Sequence, residues 1–107
     1  MGPGRASPLL SLKALNRYTW HEGKAVINYK KHAVSFEEAV TVFNDPCFID
    51  FYDPDHSESE ERFIIVGLSN RQRLLIVSYT ERQDSIRLIS ARKATRQERK
   101  QYEEQRT

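Results

Sequence analysis

The sequence predicts one α+β domain: N-terminal helices packed on one face of an antiparallel sheet of about four strands, with a C-terminal helix. Three observations carry that prediction. Helix-start signals recur within the first forty residues, and three apolar runs then follow, separated by turns of no more than five residues. Connections that short force antiparallel neighbours. After the last apolar run, Thr95 is followed by Glu98, a capping box that starts a closing helix. A chain of 107 residues with 38% apolar content buries one core.

In chain order, residues 1–17 form an extension. Two Gly and two Pro in the first eight residues predict disorder there. Leu9, Leu10, Leu12 and Leu15 are interrupted by Lys13, a run too short and polar for a secretory signal or membrane span. The domain occupies 18–107. Tyr18 to Trp20 is an edge strand or the lead-in to a helix. Thr19 and Glu22 fit a capping box, and Ala25, Val26 and Tyr29 give an apolar helical face ending at Lys31. Gly23 weakens that helix by about 1 kcal/mol relative to Ala. Ser35 and Glu38 form a second capping box, with Val34 placed to staple against Ala39. Phe36, Ala39, Val40 and Phe43 line one face of the helix, which is a core face, and Asn44, Asp45 and Pro46 end it.

Cys47 to Tyr52 reads as a strand. The acidic loop from Asp53 to Glu61 contains Pro54 and excludes regular structure. Phe63–Leu68, Leu74–Thr80 and Ile86–Ala94 are the next three strands, turning at 69–73 and 83–85.

Charge is segregated along the chain. Residues 1–31 hold six Lys/Arg and one acid (+5), 32–61 hold nine acids and no Lys/Arg (−9), and 62–107 hold eleven Lys/Arg and five acids (+6). The basic last third implies a polyanionic partner. The single Cys47 rules out an internal disulfide and a cysteine zinc site, and fits a reducing compartment such as the cytoplasm. No phosphate-cradling glycine loop, cofactor fingerprint or nucleophilic triad is present, which leaves chemistry needing neither metal nor cofactor.

Candidate site residues concentrate on the last strand and its neighbour. Arg82, Arg87, Arg92 and Lys93 can converge on one sheet face or its rim. Strand alternation puts Arg87 and Lys93 on one face and Arg92 on the other, unless a bulge near Ser90 shifts the register. The bland alternative for each arginine is a surface ion pair with Glu81 or Asp84. Asp53, Asp55 and His56 resemble a metal-ligand cluster, but no partner stands at diagnostic spacing elsewhere, and a solvated turn is the better reading. His32 ends the first helix, where the dipole favours a cation; capping explains it as well as a general acid or base role does.

WHEGKAVINYKKHAVSFEEA, then DPDHSESEERF, then a strand ending in RLISARKATRQERKQYE, closely resemble the BrnT family of bacterial toxins. The resemblance covers residues 18 to about 104. It implies a RelE-like small ribonuclease held inactive by BrnA, a ribbon-helix-helix antitoxin, with operator DNA bound only through that antitoxin. Two residues depart from the family pattern: His21 stands where Asp is usual, and Ala33 where Gly is usual. A left-handed helix cap at Ala33 would cost about 1 kcal/mol.

The mechanism implied is attack of an RNA 2′-hydroxyl on its neighbouring phosphate. It needs a base, cations for the growing charge on the phosphoryl oxygens, and an acid for the departing 5′-oxygen. The residues that fit are Arg87 and Arg92 on the phosphate, Lys93 or Glu81 for proton transfer, Tyr79 for stacking or as an acid, and His32 in reserve. Arg82 and Arg96 extend the RNA-binding surface. The rival reading is a non-catalytic basic module that docks an acidic protein or nucleic acid.

Overall fold

The computed structural model describes residues 17–106. The predicted disordered extension lies outside them, apart from Arg17. In chain order the elements are β1 (Tyr18–Thr19), α1 (Glu22–His32), α2 (Phe36–Val40), β2 (Ile49–Tyr52), β3 (Arg62–Leu68), β4 (Leu74–Arg82), β5 (Ser85–Lys93) and α3 (Arg96–Arg106). Single 3-10 turns follow α2 at Thr41–Asn44 and break the acidic loop at Pro54–His56, where no regular structure was expected.

The strands form one sheet in the order β1-β5-β4-β3-β2. Strands β2 to β5 are the four antiparallel strands expected. Tyr18–Thr19 adds a fifth, parallel to β5, with Tyr18 opposite Ile86, so the sheet is mixed. The outer edge of β5 would otherwise leave backbone groups unpaired. Further along that edge, the Asn28 side chain of α1 takes over from β1. Its Nδ2 donates to the Ala91 carbonyl at 2.8 Å, and its Oδ1 accepts from the Ala91 N–H at 3.0 Å.

That pairing sets the rotation of α1. Asn28 is its buried residue, and Ala25 packs on the core. The apolar face expected from Val26 and Tyr29 instead points outward, 52% and 56% exposed. Thr19 belongs to β1, so it does not cap the helix; His21 does, its Nδ1 accepting from the Lys24 N–H at 3.3 Å. At the other end Ala33 adopts the left-handed cap, with φ 58° and ψ 34°. Ala33→Gly is expected to raise stability by about 1 kcal/mol, a gain of roughly 4–8 °C in Tm. Thermal melts of the two proteins check this, and an unchanged or lower Tm would show that the cap is unstrained.

Helices α1 and α2 pack on one sheet face. Phe36, Ala39 and Phe43 are fully buried there against Ile65, Leu75, Val77, Tyr79, Leu88 and Ala91. Ser35 caps α2 through the Glu38 N–H at 3.0 Å. The Glu38 carboxylate goes elsewhere: it accepts from Ser69 Oγ at 2.6 Å and Arg73 Nε at 2.9 Å, tying the helix to the β3–β4 turn. Arg73 also donates to the Ala33 carbonyl at 3.0 Å.

The closing helix is not on that face. It covers part of the opposite one, where Val66, Leu74, Ile76 and Tyr102 form a second core. The apolar residues on this face of β3 and β4 need a cover of their own, so the helices sandwich the sheet instead of sharing one side. The Tyr102 hydroxyl donates to Asp45, whose carboxylate also accepts from the Leu68 and Cys47 N–H groups, each at 2.8 Å. Gly67 permits this approach: a Cβ there would lie 3.0 Å from Val42 Cγ1 and 3.1 Å from Asp45 Oδ2.

Candidate functional site

The part of the second face that α3 leaves open mixes polar and apolar side chains, and a β-bulge decides which it carries. Between β4 and β5, Ser78 faces Ser90 but Tyr79 faces Leu88, so Ile89 has no partner of its own. Ile86 and Leu88 lie in the helix-side core, which turns Arg87 away from it. Past the bulge Ala91 returns to that core, while Arg92, opposite Ile76, points to the α3 side. The extra residue therefore brings Arg87 and Arg92 to a common face and sends Lys93, opposite Leu75, to the other. Without a bulge, alternation would have joined Arg87 with Lys93.

The register also brings in Arg62. Thr80 pairs with Arg62 on one side and with Arg87 on the other. Arg62, Thr80 and Arg87 thus form a row across three strands, the two arginine Cα atoms about 10 Å apart at two strand spacings. Thr80 is buried beneath that row, its Oγ1 bonded to the Glu61 carbonyl at 2.6 Å. Neither Arg62 nor Arg87 makes a salt bridge among the described residues. Arg82, at the end of the same face, pairs with Glu60 at 3.3 Å. The next row inward holds Ser78 and Ser90, and the one after it Ile76 and Arg92.

Arg92 is differently placed. Both its terminal nitrogens donate to Glu98, each at 2.8 Å. Glu98 meanwhile completes the capping box expected at the start of α3: its Oε1 accepts from the Thr95 N–H at 2.9 Å, and Thr95 Oγ1 accepts from the Glu98 N–H at 3.2 Å. The bonds from Arg92 pull the Glu98 carboxyl down to about 2. Arg92 thus anchors the helix while lining the open face.

The remaining candidates from the sequence do not join this group. Tyr79 is 1% exposed in the helix-side core, stacked on Phe63, so it neither stacks on a base nor reaches a leaving group. Burial, aided by Asp50, drives its hydroxyl pKa well above the ordinary range. Glu81, opposite Ile86, also belongs to the helix side. His32 ends α1 on that side, and Arg96 stands exposed at the start of α3.

A depression of about 290 Å³ in the open face is lined by Arg62, Ser78, Ser90 and Arg92, by three isoleucines, and by Asp53 and His56. Arg62, Ser78 and Ser90 were not singled out from sequence, although Arg62 shares the parity of Ile64 and Val66 along β3. Asp53 and His56 are held by one another, Nδ1 to Oδ2 at 2.8 Å. Among the described residues no three His, Cys, Asp or Glu side chains come together to hold a metal ion. No helix among them is long and apolar enough to cross a membrane.

A family model described as "Ribonuclease toxin, BrnT, of type II toxin-antitoxin system" matches residues 20–98. The fold is similar to the crystal structure of the Brucella abortus ribonuclease toxin BrnT, with a TM-score of 0.56 over 75% of this chain and 97% of that one. Sequence identity between the two is 19%, so this likeness is one of fold. No curated protein matches the chain.

Proposed function

The chain belongs to the BrnT family of ribonuclease toxins of type II toxin–antitoxin systems, and on that premise we propose that its open sheet face cleaves RNA without a metal ion. A ribose 2′-hydroxyl attacks the adjacent phosphate, and Arg62 and Arg87 take the charge that grows on the phosphoryl oxygens. The observation that carries this reading is the Arg62–Thr80–Arg87 row. Two long guanidinium groups about 10 Å apart at the backbone can meet on one phosphate held above the buried Thr80. Planar forks aimed at a developing anion are what such a reaction requires of a protein. Ser78 and Ser90 supply hydroxyls for neighbouring ribose or phosphate groups, and Arg92 closes the lower end of the face. The sheet-borne site also fits a RelE-like plan.

Freed of its partner, the chain arrests growth in the cytoplasm by cutting RNA. A BrnA-type ribbon-helix-helix antitoxin restrains it and alone contacts operator DNA. Purified toxin should cut an RNA oligonucleotide in excess chelator, leave a 2′-deoxy version intact, and release 2′,3′-cyclic phosphate ends. RNA that stays whole in chelator but is cut when a divalent ion is restored would overturn the metal-free mechanism.

A further inference from the structure

Within that reading of the open face, we infer that His56 is the general base of the reaction and that Asp53 is its positioning residue. Three observations place them in that role. First, His56 lines the same depression as Arg62, Ser78, Ser90 and Arg92. A base must sit within reach of the group whose phosphate the cations hold, and no other imidazole borders this depression. Second, the ring has a fixed orientation. Asp53 Oδ2 accepts from His56 Nδ1–H at 2.8 Å, which leaves Nε2 as a lone-pair acceptor. A carboxylate that fixes the tautomer also stabilises the imidazolium formed when the base takes a proton.

Third, the short segment bearing the pair is tied to the strand that carries Arg62. The Asp53 N–H donates to the Arg62 carbonyl at 2.9 Å. Ser57 Oγ donates to the Asp53 carbonyl at 2.6 Å and accepts from the Arg62 N–H at 2.9 Å. Asp53 Oδ1 accepts from the Asp55 N–H at 3.2 Å. The Asp53 side chain is only 12% exposed, whereas that of His56 is 67% exposed. The anchor is enclosed and the imidazole is presented to solvent.

The proton path is then complete. Nε2 of His56 takes the 2′-hydroxyl proton as the O2′–P bond forms and the P–O5′ bond breaks. The departing O5′ takes a proton from water, and imidazolium returns its proton to the hydroxide left behind. The products are a 2′,3′-cyclic phosphate and a 5′-hydroxyl.

Single-turnover cleavage by His56→Ala and Asp53→Asn, followed from pH 5 to 9 beside the wild type, Arg62→Lys and Arg87→Lys, tests this. His56→Ala should lose about a hundred-fold or more in rate, keep its Tm, and lose the acid limb of its pH–rate profile. Added imidazole should restore part of the rate. Asp53→Asn should lose less and move that limb. A His56→Ala protein that cleaves within about three-fold of wild type, with the same pH profile, overturns the assignment of the base alone if Arg87→Lys or Arg62→Lys is slowed about ten-fold or more. If Arg87→Lys and Arg62→Lys are also fully active, the reading of the whole face fails with it.

Discussion

Arg87→Lys is expected to slow RNA cleavage by about ten- to a thousand-fold, the range typical of losing one donor to a developing anion, while leaving Tm nearly unchanged. Arg87 has no ion pair among the described residues to lose, and Lys keeps its charge and most of its stem. What disappears is the second point of contact with the phosphate. RNA affinity should therefore fall much less than rate, because ground-state charge attraction survives. Arg62→Lys should behave in the same way, since it stands symmetrically across Thr80. Arg92→Lys should differ in kind. Its fork is committed to Glu98, so the change should loosen the start of α3 and lower Tm along with rate. Rates, affinities and melts of the three variants separate these outcomes. Full activity in both Arg62→Lys and Arg87→Lys would remove the phosphate clamp.

Glu38→Ala should destabilise the fold by about 3–5 kcal/mol, the usual cost of leaving a paired charge alone in a largely enclosed site, or at least about 12 °C in Tm. Glu38 is 5% exposed and accepts from Ser69 and Arg73, so its loss removes the buried tie between α2 and the β3–β4 turn and leaves, among the described residues, only the Thr41–Asn70 bond at the helix end. The same bonds to Arg73 hold its carboxyl below the usual carboxylate range, as Arg92 holds that of Glu98. For both groups the folded pKa lies under the unfolded value of 4.5, so their stabilisation is complete above that pH. It should be lost as pH falls from there towards 2. Melts from pH 7 to pH 2 should show a steep acid-side fall, shallower in Glu98→Gln and in a Glu38→Ala, Arg73→Met double variant. A Glu38→Ala protein that melts within two or three degrees of wild type would show that the network holds nothing.

Periodicity and capping made much of the fold legible in the chain. Phe36, Ala39 and Phe43 announced a buried helix face, Thr95 with Glu98 the start of α3, and the short turns at 69–73 and 83–85 the antiparallel strands. These are local signals, set by backbone geometry within a few residues. Three motifs in fixed order also sufficed for the family. The details that sequence left open are those in which a distant group decides. Tyr18–Thr19 became a strand because the edge of β5 needed partners, and Asn28 turned α1 so that Val26 and Tyr29 face outward. Glu38 matched a capping box but bonds to Arg73, thirty-five residues away. The candidate site shows the same division. Its basic strand was visible as Arg87, Arg92 and Lys93, but the face each occupies depended on one bulged residue, Ile89. Arg62 and His56 joined them only through strand register and a folded-back acidic loop. A period-two pattern assigns faces only while the ladder is regular, and a single inserted residue reverses every assignment beyond it.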